Sequence, residues 1–224
     1  MSELDMLICF PYAGGGVCSF ELIKKHVSNR MKVISLSYSI NAQSESEQSI
    51  TSFNALLGNL KKQLNEFEGK ITLFGHSMGA IVAYELALLC ADQLNIQKLV
   101  VSACKPPELL VNSKIFSSNN DRLFEKIVCL GGLPQVISSN PIRLKNMKYK
   151  LLHDLQMISN YKRNNYPRIN CAIHALSASD DFLASENDMK LWKNYTNKEF
   201  RETTFDGDHF YFRNKSKEVA KFIS

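Results

Sequence analysis

The chain has 224 residues, 45% of them apolar and 22% charged, a composition that supports a full hydrophobic core and excludes an intrinsically disordered chain. Its 27 Lys+Arg and 22 Asp+Glu give a formal net charge of +5 with no long run of one sign, which argues against nucleic-acid binding and suits an acidic protein partner. No apolar stretch approaches the ~18–20 residues of a spanning helix, the start MSELDMLICF lacks a basic leader, and the six cysteines (Cys9, Cys18, Cys90, Cys104, Cys129, Cys171) form no CxxC pair or Cys/His cluster, so they read as reduced thiols of a cytoplasmic protein without a metal site.

Short apolar runs alternate with helical patterns along the chain. Met6–Phe10 reads as a buried strand, followed by a helix over Ser19–Asn29 with Phe20, Ile23 and Val27 on one face. Lys32–Leu36 is a second strand. The polar stretch Ser39–Ser49 is a surface loop. From Gln48 to Phe67 the apolar residues Ile50, Phe53, Leu57, Leu60 and Leu64 recur at helical spacing. Lys70–Phe74 is the next strand, and Met78–Ala91 is a helix apolar almost all round, hence buried. Lys98–Ala103 is a strand, ended by Lys105-Pro106-Pro107. Two helical segments then follow with no strand between them. One covers Asp121–Leu130 and stops at Gly131-Gly132. The other covers Pro141–Tyr161, with Asn140 as N-cap and Pro141 at the first helical position. Strand Cys171–Leu176 resumes the alternation. Ser185 and Asp188 open a helix as a shorter-acid form of the capping box. Phe200–Phe205 and Ser216–Ile223 are the last strand and helix. This order predicts one α/β domain over residues 1–224 with a mostly parallel central sheet flanked by helices. A helical insertion at about 107–166 interrupts it once.

The sharpest chemical signal is Gly75-His76-Ser77-Met78-Gly79. It matches G-x-S-x-G, with a strand before it and a helix after it. A serine at the tip of such a turn stands clear of the sheet, and the flanking glycines let strand and helix pass closely. A serine hydroxyl needs a base, and in folds built on this elbow the partners follow in the order serine, acid, histidine. Of the five histidines, His209 alone follows the last strand, in Gly207-Asp208-His209-Phe210. The acid belongs on the loop leaving the preceding strand, Ser177-Ala178-Ser179-Asp180-Asp181. Asp181 is favoured and Asp180 is the alternative; Asp206 and Asp208 share the histidine's own loop and are weaker candidates. An oxyanion hole needs two backbone donors. Met78 N–H follows the nucleophile. The second comes from Pro11-Tyr12-Ala13-Gly14-Gly15-Gly16, with Ala13 favoured over Tyr12. That glycine run completes neither phosphate-binding fingerprint.

Taken together, ICFPYAGGG, LFGHSMGA, VSACKPPEL, LGGLP and FDGDHFYF resemble the stand-alone type II thioesterases of nonribosomal peptide and polyketide synthesis, over nearly the whole chain. The resemblance implies the α/β hydrolase fold and a Ser77–Asp181–His209 triad. It also implies an oxyanion hole at Ala13 and Met78, no cofactor, and a mobile helical lid made by the insertion. Two stretches depart from the family. Ser37-Tyr38-Ser39-Ile40-Asn41-Ala42 stands where a P-G-(H/R)-G-like turn is common, and the acid loop reads SASDD where a glycine is usual.

The implied reaction is hydrolysis of acyl thioesters on the phosphopantetheine arm of a carrier protein, by a monomer acting away from membranes. The alternatives are a carboxylesterase or acyltransferase acting on small esters, and a catalytically idle binding module. Carrier proteins are acidic, and Arg143, Lys145, Lys148, Lys150, Lys162 and Arg163 of the insertion form a basic group that could steer docking. A solvated helix face is the plainer reading of the same charges.

Overall fold

The computed structural model describes residues 4–38, 52–65, 67–111, 125 and 139–224. The expected loop Ser39–Ser49, the helix Asp121–Leu130 apart from Glu125, and the LGGLP stretch lie outside the described residues. The elements run in chain order: β1 (Asp5–Phe10), α1 (Glu21–Lys24), β2 (Met31–Ser35), α2 (Phe53–Leu64), β3 (Lys70–His76), α3 (Met78–Leu89), β4 (Asn95–Ser102) and α4 (Pro107–Val111). Then come α5 (Pro141–Ser159), β5 (Ala172–Ala178), α6 (Glu186–Lys190), β6 (Phe200–Phe205) and α7 (Ser216–Ile223).

The six strands form one sheet in the order β2-β1-β3-β4-β5-β6, and every neighbouring pair is parallel. A parallel sheet is covered on both faces, and the strand sequences show it. In β1, Met6, Ile8 and Phe10 enter the core shared with α2 and α3, while Leu7 and Cys9 enter the core shared with α1 and α7. Helix α3 is buried from Met78 through Ala87, as its all-round apolar sequence requires. Among the described residues the insertion between β4 and β5 carries α4 and α5, and Leu151, Leu155, Met157 and Ile158 of α5 join the α2–α3 core.

Local chemistry sets the helix starts. Asn140 Oδ1 accepts the N–H groups of Ile142 and Arg143, both at 3.1 Å, with Pro141 next to it. Ser185 and Asp188 form a reciprocal capping box. The helix expected over Ser19–Asn29 is a single α-turn. His26 N–H and Val27 N–H bond three residues back, to Ile23 and Lys24, so the segment tightens into turns that still bury Phe20, Ile23 and Val27. Helix α2 starts at Phe53, five residues later than the spacing suggested, where Ser52 Oγ accepts the Ala55 N–H. Among the described residues no helix is long and apolar enough to cross a membrane.

The strand order changes direction between β1 and β3, since β2 lies outside β1 and the chain then crosses to its other side. In open α/β sheets, sites form in the crevice beyond the C-terminal strand ends at such a switch point. Here that crevice receives the glycine run after β1 and the elbow after β3.

Candidate active site

Ser77 occupies the turn between β3 and α3 at φ 54°, ψ −125°, a conformation that costs a non-glycine residue energy and persists only where its surroundings enforce it. The enforcing contacts are visible. Ser77 N–H donates to the Ser102 carbonyl of β4 at 2.8 Å, and Ala80 N–H donates to the Ser77 carbonyl at 2.9 Å. A Cβ on Gly75 would stand 2.2 Å from the Gly79 oxygen, and one on Gly79 only 2.0 Å from the Phe10 oxygen. The two glycines therefore let α3 descend onto β3 and β1 together. Ser77 remains partly exposed at the tip.

The loops after β5 and β6 are joined by their backbones. Ser179 N–H donates to Phe205 O and Asp180 N–H to Gly207 O, each at 2.9 Å. This zipper brings His209 Nδ1 to 2.8 Å from Asp181 Oδ2 in a pair almost shut off from water. A carboxylate only accepts, so Nδ1 carries the proton of this hydrogen bond, and in the neutral ring Nε2 is the nitrogen with the lone pair. Asp181 Oδ1 accepts the N–H groups of Leu183 at 2.9 Å and Ala184 at 3.3 Å, which fix the carboxylate. Asp180, one residue earlier, is exposed, as are Asp206 and Asp208; Asp208 Oδ1 accepts Phe210 N–H in a local turn. Of the four candidate acids, the structure places Asp181 alone against His209.

The His76 and His209 rings stand 5.1 Å apart, centroid to centroid, so the histidine loop lies against the serine elbow. His76 itself is fully buried. Its Nδ1 lies 2.8 Å from Ser102 Oγ, which lies 2.6 Å from the Tyr211 hydroxyl. Burial lowers the His76 pKa well below the ordinary histidine value, and the charges of His209 and Arg213 act in the same direction. Its Nε2 makes no hydrogen bond among the described residues. His76 is thus a neutral spacer packed behind the elbow.

The loop Pro11–Gly16 passes in front of α3. Pro11 O accepts the Tyr38 hydroxyl at 2.6 Å, and Gly15 N–H closes a turn on Tyr12 O at 2.8 Å. The N–H groups of Ala13 and Met78 find no acceptor among the described residues. The sequence reading missed what holds this loop from above: Asp154 of α5, buried to 1% exposure, accepts the Gly14 N–H at 2.7 Å, and Lys150 donates to Gly15 O. A signal was present, since Asp154 is an acid inside the apolar stripe Leu151, Leu155, Ile158. The docking group is also redistributed. Lys150 is committed to Gly15 and Arg163 to Glu85, while Arg143 and Lys145 remain exposed.

Four of the five cysteines among the described residues are buried, and all five are free thiols. Burial pushes the Cys171 thiol up to about 11, and Cys104 is pushed up by burial and then by the charge of Asp181. The buried Cys104 and Cys171 thiols stay protonated and inert.

Comparison with known proteins places this geometry. The thioesterase of Mycobacterium leprae called TesA is 26% identical over 98% of this chain and 85% of its own length. The phenyloxazoline synthase MbtB of Mycobacterium tuberculosis is 28% identical over 97% of this chain, which spans 16% of that far longer protein. The solved structure of BorB, a type II thioesterase from the borrelidin biosynthetic cluster, superposes with a TM-score of 0.85 at 25% identity, covering 100% of this chain and 92% of BorB. The fold is that of the α/β hydrolases. The profile of the thioesterase domain family matches residues 5–224, and the chain belongs to that family.

Proposed function

We propose that the protein is a type II thioesterase that hydrolyses acyl groups from the phosphopantetheine arm of a carrier protein in secondary-metabolite synthesis. Ser77 is the nucleophile, His209 the base and acid, Asp181 the residue that orients it, and the Ala13 and Met78 N–H groups the oxyanion hole. The observation that carries this reading is the conjunction of a strained, partly exposed serine with a buried His209–Asp181 pair whose loop lies against it.

Ser77 Oγ attacks the thioester carbonyl carbon while His209 Nε2 takes the hydroxyl proton. The carbonyl oxygen becomes an oxyanion held by the two N–H groups at the N-terminus of α3 and in the loop after β1. Asp181 stabilises the imidazolium and fixes its tautomer. The C–S bond then breaks, His209 returns the proton to the departing sulfur, and an acyl-serine remains. Water attacks the acyl carbon, giving its proton to His209, and the free acid leaves as Ser77 recovers its hydrogen. All of these groups come from one chain, so the reading needs only a monomer. The carrier-bound substrate is supported by family membership and by the exposed basic residues Arg143 and Lys145 on α5, which suit an acidic carrier. The free thiols fit the cytoplasm.

The test is hydrolysis of acyl-pantetheine and of acyl-carrier protein by the wild type and by Ser77→Ala. The reading expects turnover of both substrates by the wild type and none by the variant. Near-normal turnover by Ser77→Ala would refute the nucleophile. Fast cleavage of matched oxygen esters with inert thioesters would instead select an esterase.

A further inference from the structure

We propose that Asp154 is a positioning residue for the oxyanion loop, so that helix α5 of the insertion sets the geometry of catalysis. The inference rests on the reading of Ala13 as an oxyanion donor. The loop is gripped at three points. Tyr38 holds Pro11 O, the Asp154 carboxylate holds Gly14 N–H at 2.7 Å, and the Lys150 ammonium holds Gly15 O. Ala13 lies between these anchors and spends its own N–H on no protein group among the described residues. Asp154 and Lys150 are one helical turn apart on the same face of α5 and grasp a donor and an acceptor on adjacent residues.

Packing matches the polar contacts. Gly14 has φ 77°, and a Cβ there would lie 3.1 Å from Leu151 Cβ and 3.3 Å from Leu151 Cα. The helix backbone thus rests on the glycine itself. A carboxylate removed from water is costly unless its lone pairs are used. Besides Gly14 N–H, the titratable groups facing Asp154 among the described residues are Lys150, Tyr38 and His153, with Nδ1 at 3.5 Å. The hydrogen bond is charge-assisted and holds the peptide plane immediately after the donor residue. Without it, the Ala13 N–H loses its aim at the position an oxyanion would take.

The experiment compares Asp154→Ala with Asp154→Asn, whose amide oxygen can still accept the Gly14 N–H. Readouts are kcat and KM for acyl-pantetheine, and affinity for two probes. One is an acyl trifluoromethyl ketone, which forms a tetrahedral oxyanion adduct; the other is an S-alkyl pantetheine thioether without a carbonyl. Misaligning a donor by about 1 Å costs about 10²-fold, so Asp154→Ala should lower kcat by about that factor with KM within about twofold of wild type. The ketone should weaken by the same factor and the thioether should bind unchanged. Asp154→Asn should recover most of the loss.

Wild-type kcat in Asp154→Ala, equal weakening of both probes, or an Asp154→Asn variant no better than alanine would overturn the proposal. Should Asp154→Ala fail to fold, Lys150→Met removes the other half of the grip. It is expected to lower kcat about tenfold at unchanged thioether affinity, and an unaltered kcat would overturn the proposal equally. Ser77→Ala separates the two levels. If it stays active, the underlying machinery is wrong; if it is inert while Asp154→Ala runs at full rate, only the positioning role falls.

Discussion

The Tyr161 hydroxyl donates a 2.5 Å hydrogen bond to Glu85 Oε1, joining the chain just beyond α5 to the middle of α3. Arg163 Nη1 closes on the other carboxylate oxygen. Glu85 is a buried acid in an otherwise apolar helix, and both of its oxygens are used. Removing one partner of such a pair leaves a buried charge exposed to nothing that balances it. Arg163→Leu should therefore lower unfolding free energy by about 3 kcal/mol. Replacing the pair together, Glu85→Leu with Arg163→Leu, should cost less than Arg163→Leu alone. Urea unfolding of the three proteins checks the order.

The two adjacent aspartates should separate cleanly in kinetics. Asp181→Asn keeps the shape of the buried side chain but offers His209 an amide in place of a carboxylate, and kcat should fall by about 10³–10⁴. Asp180→Asn changes an exposed side chain whose structural contact is made by its backbone. Its kcat should stay within about twofold of wild type, as surface changes away from a site usually do. Steady-state rates on acyl-pantetheine decide the matter, and the opposite ranking would assign the acid to residue 180.

Gly79→Ala tests the elbow. The added Cβ would sit 2.0 Å from the Phe10 carbonyl oxygen, and backbone on both sides prevents relief. The chain must part β1 from α3 or fail to fold, a loss on the order of 4 kcal/mol or more. Gly58→Ala in α2, where an added Cβ meets nothing within 4 Å, is the control. It should gain up to about 1 kcal/mol from helix propensity. Thermal unfolding of both variants is the measurement.

A pH dependence follows from His174 on β5. Burial first, then the charges of Lys98 and Arg201, lower its pKa to about 4. The unfolded chain binds this proton below about pH 6.5 and the folded chain only near pH 4, so stability falls as pH drops through that window. His174→Gln, which can keep a bond to Thr203 Oγ1, should remove about 1 kcal/mol of the loss between pH 7 and pH 5, allowing for solvent screening. Urea midpoints at the two pH values, compared between wild type and variant, test the sign.

The sheet was legible in the sequence because parallel strands buried on both faces are short, continuous apolar runs, as in MLICF and KITLF. The elbow was legible because its steric demands write themselves into five adjacent residues. The choice between Asp180 and Asp181 was open because adjacent residues differ only in where they point. What points Asp181 inward is the pair of N–H groups on Leu183 and Ala184, a turn that no pattern in SASDD announces. The grip of Asp154 on Gly14 was invisible for another reason, since it joins residues 140 positions apart. Only the packing of α5 across the strand ends creates it. Periodicity also overstated α1, because turns with three-residue spacing bury the same Phe20, Ile23 and Val27 that a helix would.

The loop bearing His209 is held between β6 and a final helix whose Val219, Ala220 and Ile223 pack beside Ile23 and Val27. A nascent chain released only as far as α6 would already contain the serine, both glycines of its elbow and the Asp181 carboxylate, but not the His209 imidazole. On the proposed mechanism, reactivity therefore waits for the chain beyond β6, and a growing polypeptide that has not yet released that loop is chemically silent.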